Sequence, residues 1–97
     1  MIIVLGSAKA LPGHREELAS AAREVASATR GDDGCQSYGF YVDLDDEKVI
    51  LGVEIWRDQA ALDAHMTHPH TQDFLAKVGG LLDGTPQMAF HHVPDPA

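Results

Sequence analysis

Ninety-seven residues make one domain, and a domain of that size buries only about 60 to 70% of the surface its unfolded chain exposes, so a second subunit is the natural supplement to its core. Fifteen acidic side chains against 7 Lys and Arg leave a net charge of −8, which repels phosphate backbones and anionic headgroups and argues against nucleic acid and membrane as partners. The apolar runs are far short of the roughly 20 residues a membrane span requires, the single cysteine, Cys35, makes no internal disulfide, and the chain reads as cytoplasmic.

Met1 to Leu5 is an apolar, β-branched run that continues to Lys9 and stops at Leu11-Pro12-Gly13, a first strand closed by a turn. From His14 to Arg30, Leu18, Ala21, Ala22, Val25 and Ala26 recur at helical spacing, with Glu16 and Glu17 in the first turn where carboxylates complement the helix dipole. Gly31-Asp32-Asp33-Gly34 ends that helix, with glycine available for a left-handed closing residue. Residues 35–44 and 49–56 are rich in aromatic and β-branched types, and the polar Asp45-Asp46-Glu47-Lys48 between them makes a hairpin. Asp58 is an N-cap for Gln59 to Met66, Pro69 starts a further helix running to about Leu82, and Gln87 to Val93 is a final strand.

Along the strand 49–56, Val49, Leu51, Val53 and Ile55 point one way, and Ile50, Gly52, Glu54 and Trp56 the other. Neither side is a solvent face, which implies helices on one and a second subunit on the other. The order βαββ(α)αβ predicts an α+β, ferredoxin-like fold with a four-stranded antiparallel sheet over residues 1–93 and a short tail, 94–97.

The Pro12-Gly13 turn, Gly34-Cys35-x-x-Tyr38, Glu54-x-Trp56, Gln59-Ala60-Ala61-Leu62-x-Ala64-His65 and Pro69-His70-x-x-x-Phe74 together resemble the antibiotic biosynthesis monooxygenase domain of the dimeric α+β barrel group. The resemblance implies a homodimer packed through the sheet faces, and a cofactor-independent oxygenase that uses dioxygen on a quinol or polycyclic aromatic phenol. An isomerase of a small carbonyl compound and a non-catalytic binder of a hydrophobic metabolite are the alternatives on the same scaffold. Haem-degrading relatives carry an asparagine on the first strand and a tryptophan near the place of His65, whereas this chain has Gly6-Ser7 and histidine.

Two residue types carry the expected chemistry. His65, at the inner end of a short helix, is expected as the base, because an imidazole exchanges its proton near neutral pH. A helix-end histidine bonded to a carbonyl or to Glu54 is the plain alternative. Glu54, a carboxylate in an apolar strand covered on both faces, must be paired or protonated; it is expected to orient His65, or else to be a polar fixture of the core. Tyr38, Trp56, Phe74 and Ser7 are expected around a bound substrate. No metal and no cofactor are expected: Pro69 interrupts the helix that would align His65 with His68, both His68 and His70 read as exposed, and no glycine-rich turn joins a strand to a helix as a dinucleotide would require.

Overall fold

The computed structural model describes residues 1–95; Pro96 and Ala97 of the expected tail lie outside the described residues. Seven elements follow one another: β1 (Ile2–Lys9), α1 (Arg15–Thr29), β2 (Cys35–Val42), β3 (Val49–Trp56), α2 (Gln59–Thr67), α3 (Pro69–Val78) and β4 (Gln87–His92). The strands form one antiparallel sheet in the order β2-β3-β1-β4. This is the α+β, ferredoxin-like arrangement that the pattern predicts. Among the described residues no helix is long and apolar enough to cross a membrane.

Register decides which side chains meet. Ile2 pairs with Trp56, Val4 with Glu54 and Gly6 with Gly52, while Tyr38 pairs with Glu54 and Phe40 with Gly52. Residues paired across a sheet share a face, so Ile2, Val4, Tyr38, Ile50 and Trp56, all buried, mark the side the helices cover. Val25 and Ala26 of α1 and Ala61 and Leu62 of α2 complete that core around Trp56, which is 0% exposed. A second cluster joins Ala10, Leu18, Ala21 and Ile50 to Val78 of α3. The opposite face keeps Leu5, Tyr41 and Leu51 exposed, an apolar surface on an otherwise acidic protein.

Apart from ends that shift by one or two residues, two features differ from the sequence reading. The last helix stops at Val78 instead of running to Leu82, because Gly79-Gly80 ends the favourable helix formers; Leu82 instead bridges to Ala10. The left-handed glycine after α1 is not the helix cap, since Arg30 closes α1 in right-handed geometry. It is Gly34, at φ 78°, where the turn enters β2, and a Cβ there would collide with that of Ala61.

Candidate functional site

The helix-facing side of the sheet has an unusual row. Gly6 and Gly52 oppose each other at its centre, flanked by Met88 on β4 and Phe40 on β2. Neither glycine adds a side chain, so the row is a shallow trough with the Phe40 and Met88 side chains leaning over its floor. A Cβ on Gly52 would come within 3.2 Å of the Phe40 ring, and one on Gly6 within 3.0 Å of Met88 Sδ. The next row is Tyr38, Glu54, Val4 and Phe90. Glu54 therefore stands at the edge of the trough, with Tyr38 buried on one side and Phe90, 56% exposed, two strands away.

Glu54 has one side-chain hydrogen bond, from Trp56 Nε1 to Oε1 at 2.9 Å. Burial pushes its carboxyl above the ordinary range, and that indole bond offsets only part of the shift. Tyr38 keeps its proton: burial, with Glu54 nearby, pushes the phenol well up. Burial likewise pushes up the Cys35 thiol, helped by Asp32 and Glu54, which makes it an unreactive apolar neighbour.

His65 is not Glu54's partner. Its ring lies 4.6 Å from that of Trp56, centre to centre, and 5.5 Å from Tyr38, at 2% exposure. The indole thus touches both groups, hydrogen-bonding the carboxylate and packing its ring against the imidazole. His65 Nδ1 turns instead toward Asp32, with 3.2 Å to Oδ2, and toward Thr71 Oγ1 at 3.2 Å. Burial lowers its proton affinity, opposed by Asp32, so the imidazole is biased toward the neutral form.

Asp32 is the residue that sequence reading missed. It sits in the turn after α1 with its side chain 8% exposed, and its Oδ2 is also 3.0 Å from His70 Nε2 and 3.0 Å from His68 Nδ1. Burial alone would raise its carboxyl; the three imidazoles gathered around it outweigh that and hold it below the ordinary range. Pro69 does not separate the histidines as expected. It fixes His68 in extended geometry, φ −68° and ψ 145°, and that one residue ends α2 and caps α3, so the chain doubles back and His70 meets His65. His68 and His70 are accordingly only partly exposed.

The remaining expected residues divide. Phe74 packs on Phe40 with ring centres 5.8 Å apart, on the helix side beside the trough. Tyr38 and Trp56 are core residues whose edges frame Glu54. Ser7 points away: one residue beyond Gly6 it takes the opposite face, opposite Leu51 and Gln87, so it belongs to the uncovered sheet surface and not to the trough. Three surface cavities of about 210, 490 and 90 Å³ border α1, and neither His65 nor Glu54 lines any of them. None of the three therefore joins His65 to Glu54, which the sequence reading paired.

Residues 1–77 match the model of the family described as antibiotic biosynthesis monooxygenase. The chain belongs to that family. An uncharacterised Synechocystis protein, sll1783, is 36% identical over 81 residues, covering 84% of this chain, which spans only about half of that relative's length, 55%. A provisionally named monooxygenase of Bacillus subtilis, YcnE, is 32% identical over 82 residues, 84% of this chain and 86% of its own. The structure of Rv0793 from Mycobacterium tuberculosis superimposes with a TM-score of 0.91 at 29% identity, covering 99% of this chain and 97% of that one. Membership of the family supports monooxygenase-like chemistry.

Proposed function

We propose that the protein is a cofactor-independent monooxygenase of a quinol or polycyclic phenol, with the aromatic substrate lying over the Gly6–Gly52 trough. One observation carries this reading: an acidic side chain of raised proton affinity stands beside the facing Gly6 and Gly52, where the covered sheet face projects no side chain of its own between Phe40 and Met88. A flat ring system is the ligand shape such a floor accepts, and Phe40, Phe74 and Met88 supply apolar contact. Glu54, rather than the enclosed His65, takes the role of base. It accepts the phenolic proton, the electron-rich anion reduces dioxygen by one electron, and the two radicals recombine at a ring carbon. One oxygen atom stays on the ring, the other leaves as water, and the quinol's own two electrons and two protons complete the balance.

Trp56 serves as the positioning residue, since its indole N–H holds the Glu54 carboxylate from behind. The exposed apolar face, with Leu5, Tyr41 and Leu51 beside half-buried Ile3, Val53 and Ile55, supports a homodimer formed sheet to sheet, which places Ser7 in the subunit contact. Light scattering of the purified chain tests this, a monomer mass at micromolar concentration being the contrary outcome.

The isomerase alternative has one feature in its favour. Arg15, Arg23 and Arg30 line the 210 Å³ cavity between α1 and β2 and would attract an anion. That cavity is lined by no carboxylate or imidazole able to move a proton between carbons, which ranks the oxygenase above it. Oxygen uptake on a panel of quinols and anthrones, in wild type and in Glu54→Gln, is the deciding experiment: uptake that survives the substitution overturns the role given to Glu54, and its absence in wild type overturns the oxygenase.

A further inference from the structure

We propose that Asp32, His65, His68 and His70 form a binding site for one divalent transition-metal ion of the zinc class, clamping the turn after α1 to the junction of α2 and α3. The site lies outside the trough and does not depend on the oxygenase reading.

One donor atom from each of Asp32, His65, His68 and His70 lies within 4.8 Å of the others. The three nitrogens are 3.2, 3.0 and 3.0 Å from the same carboxylate oxygen. An ion held about 2.1 Å from four tetrahedral donors spaces them roughly 3.4 Å apart, so a small closure or opening of this set suffices.

A hydrogen-bonded network explains the grouping less well. A single carboxylate oxygen has two lone pairs to offer, and here it faces three ring nitrogens. His65 and His70 approach it in bonding geometry, whereas His68 Nδ1, at 3.0 Å, does not. That nitrogen is buried and, among the described residues, has no hydrogen-bond partner, although its ring as a whole is partly exposed. An unpartnered imidazole nitrogen turned into a nest of two others and a carboxylate is what a cation would satisfy.

The frame is also prepared in advance. Pro69 fixes His68 between two helices, Asp58 caps α2 through its bond from the Ala61 amide, and Gly34 packs the Asp32 turn against the same Ala61. Three imidazoles with one carboxylate suit zinc, iron, nickel or copper; calcium and magnesium prefer all-oxygen shells. With four protein donors the site is of the closed, structural kind.

The test uses the whole chain, stripped with a chelator and titrated calorimetrically with Zn²⁺, with Co²⁺ as a spectroscopic probe. Saturable uptake of one ion per chain is expected, with a cobalt spectrum of tetrahedral nitrogen–oxygen ligation and a thermal midpoint that rises with free zinc. His68→Ala and His70→Ala, both at partly exposed positions, should each cut affinity by at least about tenfold while the far-ultraviolet dichroism stays unchanged. His91→Ala and His92→Ala, on the exposed strand β4, should leave it intact. Absence of saturable binding in wild type overturns the proposal. So does binding that survives both cluster substitutions, or equal binding of Mg²⁺ and Ca²⁺. Should His68→Ala unfold, the wild-type titration and His70→Ala decide alone.

Discussion

Asp32 and Glu54 are both sheltered carboxylates linked to the same Trp56–His65 ring pair, yet their surroundings push them in opposite directions. Asp32 is met by three imidazoles and is held more acidic than usual; Glu54 is met by one indole N–H and is held less acidic. Burial acts the same way on both, so the difference lies in the number of donors offered to the charged form. A carboxylate with its donors in place is a fastening. One with too few is a group ready to take a proton, and that contrast separates the Asp32 turn from the row proposed to hold the substrate.

The contrast can be broken most visibly at Glu54. Glu54→Gln retains an oxygen for the Trp56 indole and removes the base, so kcat/KM for an accepted quinol should fall by about 10²–10⁴ while chemical denaturation shows stability unchanged or raised. Lost stability with retained turnover would reverse the two roles. Gly34→Ala strikes the other end: the positive φ and the collision with Ala61 should cost about 2–5 kcal/mol of unfolding free energy, read by urea titration. Asp32→Asn leaves a poorer acceptor facing the histidines and, with chelator present, should cost about 1–3 kcal/mol while the turnover of folded protein stays near wild type.

The smallest effect is a crossing of two pH curves. Because the folded state raises the Glu54 pKa, the folded protein binds this proton more tightly than the unfolded chain does, and the group's stabilising contribution is complete below the unfolded value. Stability is then lost as pH rises through the folded value. Activity should move the other way over the same window, increasing as the carboxylate forms. Glu54→Gln should flatten the stability slope there; an unchanged slope would assign the titration to another group.

Much of the fold could be read from the chain because its signals are local. Alternation along β3 assigned Glu54 and Trp56 to the face that includes Ile50, and Asp58 and Pro69 marked two helix starts that the structure retains. The site was less legible, since its contacts join distant parts of the chain. Asp32 and His65 are 33 positions apart, and nothing in an Asp-Asp turn distinguishes the residue facing inward from the one ion-paired with Arg57 at the surface, which is Asp33. Pro69 read as a break between helices was correct, but what a break does in space, turning His68 and His70 back onto His65, requires the tertiary path. Ser7 was misplaced by a single step of parity, which only the pairing of Gly6 with Gly52 resolves.

Met88 adds a property of its own. Its thioether, on the outermost strand and 53% exposed, rests over Gly6, where a stiffer side chain would have fixed the width of the floor. A thioether on rotatable bonds swings aside at small energetic expense. On the proposed reading, the trough thereby gains a compliant wall, and rings of different size would be seated without disturbing the sheet beneath them.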